Sequence, residues 1–105
     1  MNDVQTVVRN FAQKVSSSGV PVSDAILFGS WAKGTATPDS DIDVCIVSPN
    51  LGKDWVSEIV SLRQLALGID RRIEPVPLNP EDMRDKFHPL ANEINKFGIK
   101  VSLHA

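Results

Sequence analysis

An α/β fold, a short mixed β-sheet flanked by helices, is predicted by three observations. Apolar stripes at helical spacing alternate with short apolar runs along the chain, Gly, Pro and Asn fall at the joints between them, and no stretch repeats another. Val4, Val7, Val8, Phe11, Ala12 and Val15 recur at helical spacing, so residues 3–17 form an amphipathic helix that stops near Ser18-Gly19. Ala25-Ile26-Leu27-Phe28 is apolar throughout and bounded by Asp24 and Gly29, which reads as a strand buried on both faces. The chain then turns: residues 31–34 make a brief helix with Ser30 as its N-cap, and 34–40, rich in Thr, Pro and Asp, make a loop. A second strand runs from about Asp41 to Val47.

Pro49-Asn50 ends that strand. Trp55, Val56, Ile59, Val60, Leu62, Leu65 and Ala66 predict a helix closed by Gly68 at its C-terminal cap. Residues 71–78 resume a strand, but Pro75 and Pro77 lack backbone donors, so it is expected at a sheet edge or breaking early rather than paired along its whole length. Asn79-Pro80-Glu81-Asp82 is a helix start, with Asn79 as cap and Pro80 at the first position. Another helix follows Pro89 and ends at Gly98, and Ile99, Val101 and Leu103 alternate as a terminal strand would.

With 105 residues, 42% of them hydrophobic, the chain is expected to form one domain over 1–105; a domain of this size buries roughly two-thirds of its unfolded surface. The formal net charge of -2 supplies no basic field for wrapping RNA or DNA, so strong nucleic-acid binding is not expected. The single Cys45 excludes an internal disulfide. No apolar run is long enough to span a bilayer, and no signal segment is apparent, which reads as a cytoplasmic protein without membrane contact.

The chemistry concentrates in two places. Asp41 and Asp43, two apart on a predicted strand, project from one face with backbones roughly 6 to 7 Å apart. Held together they repel by on the order of 2 to 3 kcal/mol at an effective dielectric near 20, so a counterion is expected. Hard oxygen donors and the lack of a His or Cys cluster favour Mg²⁺. Ile42, Val44 and Ile46 on the other face anchor the strand. Gly29 lets the backbone approach a ligand closely, and Ser30 offers a hydroxyl and an amide to a phosphate. Neither the Walker sequence nor Gly-x-Gly-x-x-Gly is present. Glu74, the only acid of the third strand, is a third carboxylate able to activate an incoming hydroxyl, or else a surface partner of Arg71 or Arg72. Lys33, one turn into the short helix, is a candidate phosphate contact. Trp31, Trp55 and Cys45 read as packing residues.

Gly29-Ser30, ten intervening residues and Asp41-Ile42-Asp43 together resemble the signature of the polymerase beta-type nucleotidyltransferase superfamily. The short chain is similar to its minimal nucleotidyltransferase (MNT) domains, including MntA-like antitoxins that accompany HEPN-domain ribonuclease toxins. The resemblance implies that Asp41 and Asp43 bind two Mg²⁺ ions, that Gly29 and Ser30 hold the triphosphate of ATP, and that Glu74 stands where the family commonly has an aspartate. It also implies in-line attack of a hydroxyl on the α-phosphorus, with AMP passing to a tyrosine of the toxin. Two other readings stand beside it: an antitoxin that silences its partner by covering it, and an enzyme that adds nucleotides to RNA or to a small molecule such as an aminoglycoside.

Overall fold

The structure, a computed structural model, describes residues 2–104, with Asn2 described by its backbone alone; the ends of the expected 1–105 span lie outside the described residues. The apolar stripe of the first segment forms α1 (Asn2–Ser17), with Val4, Val8, Phe11, Ala12 and Val15 buried. The continuous run forms β1 (Asp24–Phe28), in which all four apolar residues are buried. Then follow α2 (Ser30–Lys33), β2 (Ile42–Val47), α3 (Trp55–Leu67), β3 (Ile73–Leu78), α4 (Pro80–Arg84), α5 (Pro89–Phe97) and β4 (Ile99–Lys100).

The four strands form one mixed sheet in the order β3-β2-β1-β4. β1 runs antiparallel to β2 and to β4, while β2 and β3 are parallel and joined through α3, as a parallel pair requires. Side-chain alternation sorts the core into two layers. Ala25, Leu27, Ile42, Val44, Ile46 and Ile73 pack with α1 and with Leu62 and Ala66 of α3. Ile26, Phe28, Cys45, Val47 and Leu78 pack with Ala91 and Ile94 of α5. Asp43 and Glu74 share the alternation of Cys45 and Val76, which puts both on the α5 face of the sheet.

Three expectations are corrected. β3 is indeed an edge strand, but it is paired from Ile73 to Leu78 despite its prolines. The carbonyls of Arg72 and Leu78 accept from Ile42 and Ser48 at 2.7 and 2.9 Å, so the even-numbered residues turn their backbone to β2. Pro75 and Pro77, both buried, therefore turn their nitrogens away from β2, where the missing donors cost the ladder nothing. The cap of α2 is Gly29 and not Ser30: the helix starts one residue earlier, and no side chain caps it. The terminal strand is only two residues long, with one further bond from the Val101 amide to the Ala25 carbonyl at 2.9 Å.

The Asn79 cap has the expected form. Its side chain accepts from the Asp82 amide at 2.8 Å, and Asp82 accepts from the Asn79 amide at 3.2 Å, a reciprocal capping box. Asn79 Nδ2 also donates to the Leu51 carbonyl at 3.3 Å, tying α4 to the loop before α3. Asn79→Ala is expected to cost about 1 kcal/mol and to lower the melting temperature by roughly 4 to 8 °C, which a thermal melt followed by circular dichroism checks.

Candidate active site

β1 ends at Phe28, and the chain reverses through Gly29 at φ 72° and ψ -150°, a backbone region that side chains exclude. The reversal brings Gly29 against the middle strand: a Cβ at this position would overlap Asp43 Oδ2 and stand 3.0 Å from its Cγ. The glycine is thus required twice, by its own conformation and by the carboxylate lying against it. Ser30 follows as the first residue of α2, half-buried, its carbonyl accepting from the Thr35 amide at 3.0 Å.

Asp43 is half-buried and pairs in register with Phe28 on one side and Glu74 on the other. Its carboxyl is held above the usual range, first by burial and then by the negative charges of Asp41, Glu74 and Glu93. β3, α5 and the loop before β2 therefore bring acids within electrostatic reach of Asp43. Asp41 is exposed, one residue before β2 begins. Glu74 stands beside Asp43 but forms an ion pair with Arg63 of α3. Among the described residues, no three of His, Cys, Asp or Glu gather tightly enough to enclose a metal ion.

The cation Lys33 is positioned from α2. Its Nζ lies 3.5 Å from Glu93 Oε1 and 4.9 Å from the centre of the Phe97 ring. Glu93 was not legible in the sequence, because only the folding of α5 onto this face of the sheet brings it to Asp43; nothing local marks it. Arg63 escaped for the same reason. On the far side of Asp41 lies an open concavity of about 490 Å³ lined by Pro38, Asp39, Asp41, Asp70, Arg71 and Arg72. Arg72 shapes it, donating to Asp70 Oδ1 and Oδ2 at 3.1 and 2.8 Å and to the Pro38 carbonyl at 2.9 Å. The hydrogen bond from Arg72, opposed by some burial, keeps the Asp70 carboxyl below its ordinary value. Trp31 lies under that guanidinium at 5.9 Å and donates from Nε1 to the Ser40 carbonyl at 3.2 Å, so it braces the loop before Asp41. The Cys45 thiol is pushed up to about 12, by burial first and then by Asp24 and Asp82, and stays a small apolar core group.

The site is thus a glycine turn pressed against a strand carboxylate of a mixed sheet, with further acids around it and oxygen donors alone. The chain belongs to the nucleotidyltransferase domain family, which matches residues 8–104. A relative from Methanocaldococcus jannaschii, provisionally named a protein adenylyltransferase, is 32% identical over 85 residues, 76% of this chain; the chain spans 58% of that relative's length. Two solved structures share the fold. A nucleotidyltransferase, provisionally so named, from Sulfolobus solfataricus superposes with a TM-score of 0.67 at 17% identity, over 93% of this chain and 78% of that one. A toxin–antitoxin structure with AMP-PNP superposes with a TM-score of 0.64 at 23% identity, over 90% and 72%. Among the described residues, no helix is long and apolar enough to cross a membrane.

Proposed function

We propose that this chain is a single-domain, Mg²⁺-dependent nucleotidyltransferase of the cytoplasm that moves AMP from ATP to a hydroxyl, a tyrosine by preference, of a partner protein. The observation that carries this reading is the seating of Asp43 against Gly29, with burial first and then Asp41, Glu74 and Glu93 raising its proton affinity. An acid group kept this crowded, with oxygen donors alone, suits a hard divalent cation. Asp41 and Asp43 are the residues that would hold it, and Glu74 would join them on leaving Arg63. When bound, Mg²⁺ neutralises phosphate charge and stabilises the departing pyrophosphate.

The chain's own groups do the rest. The Ser30 amide and hydroxyl bind the triphosphate where Gly29 gives access, and Lys33 adds a positive charge from α2. Glu74 takes the proton from the acceptor hydroxyl as its oxygen bonds to the α-phosphorus. The α–β bridging bond breaks, and pyrophosphate leaves with the electron pair. The name of the M. jannaschii relative supports a protein acceptor. The fold shared with the toxin–antitoxin structure, together with the resemblance to MNT antitoxins, supports a HEPN-type ribonuclease toxin as that acceptor.

Incubating the purified chain with an extract of its source cells, ATP and Mg²⁺, and reading intact protein masses, tests the proposal. An AMP adduct on a tyrosine, absent when Mg²⁺ is chelated, is the expected result. Adducts only on RNA or small molecules would assign the acceptor elsewhere, and silencing of a co-expressed toxin by the Asp43→Asn variant would favour occlusion over chemistry.

A further inference from the structure

We infer that the exposed stripe Val56, Val60, Arg63 and Leu67 on α3 is the docking surface for the protein that carries the acceptor hydroxyl; this rests on the transfer reading above. Steps of four, three and four residues place the four side chains on one line of the helix. Val56, Val60 and Leu67 are 72%, 51% and 66% exposed, whereas Leu62 and Ala66 fill the core from another face of the helix. The one charged member, Arg63, reaches Glu74 on β3. The stripe therefore runs beside the β3 edge of the sheet and is tied to the acid next to Asp43.

Three features select the acceptor as occupant. Gly29 and Ser30 follow β1, on one side of β2, and Glu74 lies on β3, on the other. In-line displacement sends the leaving group and the acceptor to opposite sides of the reacting phosphorus, so the acceptor arrives from the β3 side, which the stripe flanks. On that side the sheet edge itself offers little grip, because Pro75 and Pro77 are buried and carry no donors, so a partner cannot add a strand there. The contact is also small. A 13-residue helix is roughly 20 Å long, and one line along it covers a few hundred Å² at most, well under the about 800 Å² per partner of a stable interface. That suits a substrate that comes and goes rather than a permanently held second copy. The matching surface on the acceptor is an apolar patch around an acidic group or carbonyl, which draws Arg63 away and frees Glu74 to take the hydroxyl proton.

The test uses ATP labelled at the α-phosphate and the acceptor purified from the extract by its label, with Val60→Ser, Leu67→Ser and the off-stripe control Ser61→Ala. Both stripe variants are expected to raise the KM for the acceptor at least tenfold, with kcat, ATP affinity and melting temperature near those of the parent, while Ser61→Ala behaves as the parent. An unchanged KM in both stripe variants overturns the docking surface and leaves transfer standing. Light scattering that shows a dimer lost in those variants, with KM unchanged, assigns the stripe to a second copy and overturns it as well. Label on no protein at all overturns the transfer reading and this inference with it.

Discussion

Asp43→Asn is expected to reduce nucleotide transfer by roughly 10²- to 10³-fold or more while leaving the ion-free protein folded and slightly steadier. Both effects come from one fact. Asp43 is half-buried among like charges, and burial followed by Asp41, Glu74 and Glu93 raises its proton affinity. A carboxyl whose folded-state pKa lies above its unfolded value contributes stability only while protonated, below the unfolded pKa. That contribution is lost as pH rises through the folded value. At neutral pH the ionised group therefore opposes folding, and the neutral amide does not. Melting temperatures measured without divalent ions should favour the variant most at pH 7, with the gap closing as pH falls toward the ordinary carboxylate range. Asp70 behaves in the opposite sense. Its hydrogen bond from Arg72 lowers its pKa, so its stabilisation is present above the unfolded value and fades as pH falls through the folded one. Because Asp70 is unchanged in the variant, the difference between the two melts isolates Asp43. A gap that widened on acidification would contradict the crowding.

Gly29→Ala is expected to damage both folding and chemistry. The backbone at φ 72° and ψ -150° costs a side-chain-bearing residue about 1 to 3 kcal/mol, and the added methyl must displace the Asp43 carboxylate that occupies its space. Denaturant unfolding should show that loss, and transfer should fall to the level of Asp43→Asn even at temperatures where the variant remains folded. Ser30→Ala, by contrast, removes a hydroxyl without touching the turn, so its effect should be confined to weaker nucleotide binding. A Gly29→Ala protein with full activity would mean that the close approach of turn and carboxylate is incidental.

The elements themselves were legible because their causes are local. The period of Val4, Val8, Phe11 and Val15 specifies α1, the unbroken run at Ala25–Phe28 a strand buried on both faces, and Asn79-Pro80 the start of α4. Errors arose where a local rule met a tertiary geometry. Two prolines suggested an edge strand or an early break; β3 is at the edge, and their spacing of two turns both away from β2 and leaves the pairing intact. A serine after a glycine suggested a cap, yet the approach of Asp43 demanded the glycine at the junction. Within the site, Gly29, Ser30, Asp41 and Asp43 could be read together because a fixed spacing joins them. Glu93 and Arg63 could not, since each reaches its partner only through the packing of a helix on the sheet. The place of Glu74 beside Asp43 followed from two parallel strands in register, but its pairing with Arg63 is set by α3.

The proposed transfer requires Asp41 and Asp43 to hold a divalent ion where the triphosphate meets Gly29 and Ser30. Titration calorimetry with an ATP analogue that cannot be cleaved between its α- and β-phosphates tests this directly. The predicted result is one binding event that requires Mg²⁺ and disappears in Asp43→Asn. Binding of equal strength with the ion chelated, or retained by the variant, would contradict it.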